Sequence, residues 1–198
     1  MTVLTAINDV CDVVSLDRFT SVYGSNNPAA QTMLELAKLA GQEIAERFAW
    51  KALQRSDTAS ASPFPFPADY DRLIEGGAVF TAAGEFARPV KSPSQWAVVL
   101  QVPSVQPYYY LSTAAIAFSP AAAAVGALVT YVSKNWILGS TGTEKADWTA
   151  DDDVVVFPER LLVLNLIWRW KRQKGLNYDD PLAEFEAALA TATEEDRG

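Results

Sequence analysis

Phe157-Pro-Glu-Arg-Leu-Leu-Val-Leu-Asn-Leu-Ile-Trp-Arg-Trp-Lys-Arg-Gln-Lys174, closed by Gly175, is the stretch around which the chain is organised. Pro158 suits a first helical turn, and Glu159 sits near the positive end of the helix dipole. Arg169, Lys171, Arg172 and Lys174 crowd the other end, where cations complement exposed carbonyls, and Gly175 supplies a left-handed stop. A helix from Pro158 to Lys174 spans roughly 25 Å. From Leu161 to Trp168 it is apolar on every face, interrupted only by Asn165. A helix apolar all round must be covered by more than one other element. It is too short, and too charged at its end, to cross a bilayer, which takes about 20 apolar residues.

Working outward, Thr2 caps a helix over Val3 to Val14, with Leu4, Ile7, Val10, Cys11 and Val14 on one face. Gly24-Ser-Asn-Asn27 breaks the chain, and Pro28 opens a second helix from Ala29 to Phe48. Met33, Leu36, Ala37, Ala40, Ile44 and Phe48 hold helical spacing, and the many alanines allow a close neighbour. Leu53 to Ala61 reads as a strand, and Pro63-Phe-Pro-Phe-Pro67 forces an extended path into a turn over Asp69 to Ile74. Residues 76 to 138 read as mainly β, with a short helix near Ser94 to Leu100. The clearest strands are Tyr108 to Leu111, Ala115 to Phe118 and Ala127 to Val132. Ser119 to Ala124 reads as a loop and Gly139 to Ala150 as a polar linker. A last helix runs from Asp180 and Pro181 to about Thr191, before a charged tail, Thr193 to Gly198, with nothing to bury. The expected class is α+β: helices in 1–52 and 151–198 form a bundle around a β-rich insertion, 53–150.

Composition narrows the function. The 198 residues carry a formal charge of −8, which opposes gripping nucleic-acid phosphates but not a role in which nucleic acid merely passes. There is no histidine, so the commonest general base and metal ligand is missing. The single cysteine, Cys11, cannot form an intramolecular disulfide and is expected to be a small buried hydrophobe. The start of the sequence carries no basic segment of the signal-peptide kind, so a cytoplasmic origin is expected.

Three constellations invite chemistry. Asp151, Asp152 and Asp153 lack the alternating oxygen ligands and glycine of a cation loop, so they read as charge preceding a helix, with Asp153 or Glu159 pairing with a basic helix end. Arg169, Lys171, Arg172 and Lys174, interleaved with Trp168 and Trp170, resemble a stacking patch for nucleic acid, yet helical spacing spreads them around the cylinder. Helix-end complementarity and salt bridges to a neighbouring subunit are the favoured reading. Tyr108, Tyr109 and Tyr110 with Trp96 and Trp136 suggest a sugar platform, but alternation sends Tyr109 to the opposite face, and packing is favoured. A carbohydrate-binding module is thus the alternative function. No Gly-x-Ser-x-Gly, histidine-based triad or phosphate loop is present, and neither an enzyme, a cofactor nor a metal is expected.

The order of pieces carries a resemblance. Phe48-Ala-Trp50 is followed by Phe64-Pro-Phe-Pro-Ala-Asp-Tyr70, Tyr110 to Pro120, and Tyr131-Val-Ser-Lys-Asn-Trp136. Ala150 to Asp153, Phe157 to Leu162, Trp168-Arg-Trp-Lys171 and Lys174-Gly-Leu-Asn-Tyr178 complete it. This resembles the head-to-tail adaptor, or connector, proteins that complete the heads of tailed bacteriophages, over most of the chain. The resemblance implies a homo-oligomeric, usually dodecameric, ring in the virion under the portal protein, assembled in the host cytoplasm. It implies a ring that docks the next tail component (stopper, nozzle or tail tube) and passes DNA through its channel without reading sequence or touching a membrane. It also implies that the C-terminal region reaches the portal. Phe157, Arg160, Trp168, Trp170, Arg172, Tyr178, Leu182 and Phe185 are the residues expected at subunit or portal interfaces.

Overall fold

The computed structural model describes residues 1–76, 79–102 and 104–198. Residues 77, 78 and 103 belong to the stretch expected to be mainly β and lie outside the described residues. In chain order the elements begin with α1 (Val3–Val14), α2 (Pro28–Arg47), β1 (Gln54–Ala59), β2 (Phe64–Pro65), β3 (Tyr70–Leu73), β4 (Val79–Phe80) and β5 (Arg88–Val90). They continue with α3 (Pro93–Gln101), β6 (Tyr108–Leu111), β7 (Ala115–Ser119), β8 (Ala127–Ser133), β9 (Ile137–Leu138), β10 (Glu144–Lys145) and β11 (Val154–Val155). The chain closes with α4 (Glu159–Gln173) and α5 (Asp179–Arg197). The class is α+β, with helices from both chain ends and a mainly β middle. Two compact units form: a helical unit, Met1–Leu53 with Lys134–Gly198, and a β unit, Gln54–Ser133.

In the helical unit α4 is the centre. Leu161, Leu162, Leu164, Asn165, Leu166, Ile167, Trp168 and Trp170 are all buried, and α1, α2 and α5 each pack on the helix. That is what its uninterrupted apolar surface requires, since burying each large side chain stabilises by about 1.5–3 kcal/mol. The Thr2 hydroxyl accepts the Thr5 N–H at 3.2 Å and starts α1, which buries Val3, Ala6, Ile7, Val10 and Cys11. The Asn27 side chain accepts the Ala29 N–H at 2.9 Å, Pro28 occupies the first turn of α2, and Met33, Ala37, Ala40 and Ile44 face inward.

The far end of the chain differs from expectation. Helix α5 continues to Arg197 instead of stopping near Thr191, and Thr193 to Gly198 is no free tail. The Asp196 carboxylate accepts the Lys51 N–H at 2.9 Å, and the Arg197 guanidinium lies 5.3 Å from the Phe48 ring centre. These partners lie far away in sequence. The insertion also ends earlier than Ala150. Residues 134–150 join the helical unit because β9 pairs with both β10 and β11, and Trp136 and Ile137 are buried there.

The β unit holds two sheets. One is ordered β1-β8-β3, with β4 also pairing with β8, all antiparallel. The other is ordered β2-β7-β6-β5, in which β5 and β6 are parallel. Alternation is clean in β7, where Ile116 and Phe118 point inward, and in β6, where Tyr109 is buried between partly exposed Tyr108 and Tyr110. Their core partners include Ala59, Phe64, Val79 and Val129. The turn expected over Asp69 to Ile74 is instead strand β3. Tyr70 stacks on Phe66 at 4.1 Å, and the Tyr131 hydroxyl donates to Asp69 at 2.9 Å. The Ser119 to Ala124 loop contains a single 3₁₀ turn, Ala121–Ala124.

Candidate functional site

The polar groups around α4 form the densest constellation of the helical unit. Asn165 is fully buried; its Nδ2 donates to Glu43 Oε2 at 3.0 Å, and its Oδ1 accepts from Arg169 Nε at 2.6 Å. One turn along α4, Arg169 Nη2 donates to the same Glu43 oxygen at 2.5 Å. On α2, Arg47 lies one turn beyond Glu43 and donates to both carboxylate oxygens of Glu186 on α5, at 2.6 and 2.8 Å. The network thereby ties three helices. Burial raises the Glu43 pKa, but the Asn165 and Arg169 hydrogen bonds outweigh it and hold the carboxyl below its usual range. Arg169→Ala is expected to cost about 1–3 kcal/mol, because Glu43 and Asn165 lose a charged donor in a half-buried setting. Chemical denaturation would register this as a lower midpoint; an unchanged midpoint would refute it.

The aspartate run is consumed by structure. Asp151 accepts from the Ser21 hydroxyl at 2.5 Å and from the N–H groups of Val22 and Tyr23 at 2.9 and 2.8 Å. It fastens the α1–α2 connection. Asp153 is completely buried and accepts from Lys145 Nζ at 2.5 Å, Thr149 N–H at 2.7 Å, Thr149 Oγ1 at 3.2 Å and Ala150 N–H at 3.1 Å. The pairing expected with a basic helix end therefore goes to the β10 lysine, while Glu159 meets the Met1 amino group. Burial raises both aspartate pKa values, but hydrogen bonds lower them further, so Glu43, Asp151 and Asp153 all remain ionised near neutrality. None of the three is poised to donate a proton. Among the described residues no group of three or more His, Cys, Asp or Glu could hold a metal ion.

The expected interface residues divide sharply. Phe157, Trp168, Trp170 and Phe185 lie inside the helical unit, at 4%, 6%, 5% and 0% exposure, and their surface is spent on their own chain. Phe157 stacks on Trp136 and tilts against Trp50, each at 6.1 Å. Arg160 and Arg172 are exposed, and Tyr178 and Leu182 are half-buried, so these four keep surface for a partner. Arg160 and Glu184, 3.4 Å apart, flank a groove of about 400 Å³ between α4 and α5, otherwise walled largely by alanine and threonine. The basic patch does not act as a block. Arg169 is committed to Glu43 rather than to a neighbouring subunit, and Lys174 lies over the Trp170 ring at 4.5 Å.

The five aromatic residues do not make one platform. Trp136 is buried in the helical unit, edge-on to Trp148 at 5.1 Å. In the β unit Trp96 stacks on Tyr110 at 5.6 Å. Sequence reasoning missed Glu43 and Gly41; the one available signal was Asn165, a polar residue in an apolar run that needed a buried partner. No protein-family model matches the chain, and no curated protein matches it. No helix among the described residues is long and apolar enough to cross a membrane.

Proposed function

We propose that the chain is a head-to-tail adaptor of a tailed bacteriophage, a structural subunit that forms a ring beneath the portal. The observation that supports the reading best is the helical unit built from both chain ends around a mainly β middle, the arrangement that the ordered sequence resemblance implies. The ring, dodecameric in this reading, extends the DNA channel and offers its far side to the next tail component. A net charge of −8 keeps phosphates from sticking to such a channel. With Phe157, Trp168, Trp170 and Phe185 committed to the subunit's own core, contacts to portal or neighbours fall to Arg160, Arg172, Tyr178, Leu182 and the exposed face of α5.

The test is to mix the purified protein with the portal encoded beside it and follow mass by sedimentation. A stoichiometric portal-plus-ring species is expected. Absence of any mass shift would sink the reading and turn attention to glycan binding. Truncation after Tyr178 is a poor control, because it removes Phe185 and Leu189 from the core.

A further inference from the structure

A groove runs beside the last turn of α4. Its two lobes, of about 720 and about 270 Å³, lie between α2, the chain leading into α2 and the end of α4, and they share Leu36 and Gln173. The wall formed by Val22, Gly24 and Ser25 is fixed, because the Asp151 carboxylate accepts the N–H groups of Val22 and Tyr23 at 2.9 and 2.8 Å. The α4 side is fixed too: Arg169 is held by Glu43 at 2.5 Å and lies 4.7 Å from the Trp168 ring centre. Leu36 and Leu39 offer apolar surface, and Leu39 is 49% exposed. Pro28, Gln31 and Glu35 along the groove are exposed as well, so it is an open trough that does not enclose a small molecule. Its charges are uneven. Arg172, exposed on the smaller lobe, makes no ion pair among the described residues, and neither does Lys171 before it. The Gln173 side chain makes no hydrogen bond among the described residues. Glu35, on the larger lobe, is the one acidic lining residue.

We infer that this trough docks an acidic, apolar segment of a different protein, which lays an apolar side chain against Leu36 and Leu39 and sets a carboxylate on Arg172. The inference deepens the adaptor reading, which leaves Arg172 for contacts, and rests on it for the expectation that a partner protein exists. Charge selects the occupant. Arg169, Lys171, Arg172 and Lys174 crowd one end of α4 in a chain whose net charge is −8, so that end is a local positive site on a negative molecule. Glu43 answers Arg169, and Lys174 lies on the Trp170 ring at 4.5 Å. Arg172 is left at the groove for a carboxylate, which its planar fork can grip with two parallel hydrogen bonds. A nucleic-acid strand would bring phosphates past Glu35 and has no aliphatic side chain for Leu39. A second copy fits poorly, since α5, the chain's richest source of carboxylates, spends Phe185 and Leu189 on its own core. Walls that are already fixed favour a peptide, because binding then orders the peptide alone.

The experiment is display of a random dodecapeptide library against the wild-type protein, followed by fluorescence anisotropy of the enriched peptides on wild type and variants. The enriched peptides are expected to combine Asp or Glu with Leu, Ile or Phe. They should bind Arg172→Gln and Leu39→Ser each about tenfold or more weakly, since one variant removes the charged donor and the other the apolar seat. Both side chains are exposed, so the fold tolerates either change, and circular dichroism checks it. Glu35→Gln takes away the one acidic lining residue and should tighten binding about threefold, which a merely structural role would not do. No enriched peptide, a basic consensus, or binding indifferent to both Arg172→Gln and Leu39→Ser overturns the inference. Peptides whose sequence matches a segment of the chain itself would assign the groove to a second copy and overturn it too. Portal capture by a protein that enriches no peptide would overturn it while leaving the adaptor reading intact. Acidic peptides lost in Arg172→Gln, with no portal capture by the wild type, would do the reverse.

Discussion

Asp153→Ala is expected to destabilise the helical unit by about 3–5 kcal/mol, the cost of removing one partner from a buried ion pair. The carboxylate is 0% exposed and answers four donors: the Lys145 ammonium, the Thr149 N–H and hydroxyl, and the Ala150 N–H. Alanine takes the counter-charge from the Lys145 ammonium, which keeps the Thr149 hydroxyl as an acceptor, and takes the carboxylate from two backbone N–H groups. Asp153→Asn keeps the shape and one acceptor but not the charge, so a loss of about 2–3 kcal/mol is expected. The pH dependence separates charge from shape. Although burial raises the Asp153 pKa, its donors lower it more, and the folded carboxyl titrates below its ordinary value. A depressed folded pKa contributes stability above the unfolded carboxylate pKa, about 3.9, and loses it as pH falls through the folded value. Wild type and Asp153→Asn should therefore differ most near neutrality and approach one another in acid, as pH falls from the unfolded carboxylate pKa through the lower folded one. Thermal melts in the two ranges measure this. A gap that stays constant with pH would mean that the carboxylate's charge is not what holds the loop.

What was legible in the sequence was what neighbouring residues decide. Thr2 and Pro28 announce helix starts because a cap or a first-turn proline acts over two or three residues. The burial of α4 on all sides follows from a pattern within one helix. The losses are contacts between distant residues. Strand β3 exists because β8 lies beside it, through a register shift between Tyr70 and Arg72 that no local alternation encodes. The last turn of α5 is held by Lys51 and Phe48, from the opposite part of the sequence. Phe157, Trp168, Trp170 and Phe185 show the same limit at the candidate site. Apolar character says that a side chain will be covered, not whether its own chain or another does the covering. In α3 the same ambiguity resolves the other way, since none of its apolar residues is buried by its own chain.

Gly41→Ala is expected to lower stability by about 2–4 kcal/mol, although the same exchange in an ordinary helix interior gains about 1 kcal/mol. Gly41 lies on the buried face of α2, and a Cβ there would fall 2.1 Å from Trp136 Cζ3 and 2.2 Å from Cη2. Neither side can yield cheaply. The indole is fixed edge-on by Trp148 at 5.1 Å and stacked by Phe157 at 6.1 Å, while Phe157 is itself held against Trp50. The methyl group must therefore displace the ring from its slot or push α2 away from its neighbours. For a chain of this size the melting temperature should fall by roughly 5–15 °C. Trp136→Phe removes the ring atoms that the new methyl meets, at the cost of a cavity. Combined with Gly41→Ala it should lose clearly less than the sum of the two single losses, a coupling of about 1–2 kcal/mol. Additive losses would place the glycine requirement in the backbone of α2 and not in its contact with Trp136. A Gly41→Ala protein as stable as the wild type would mean that the indole has another place to go.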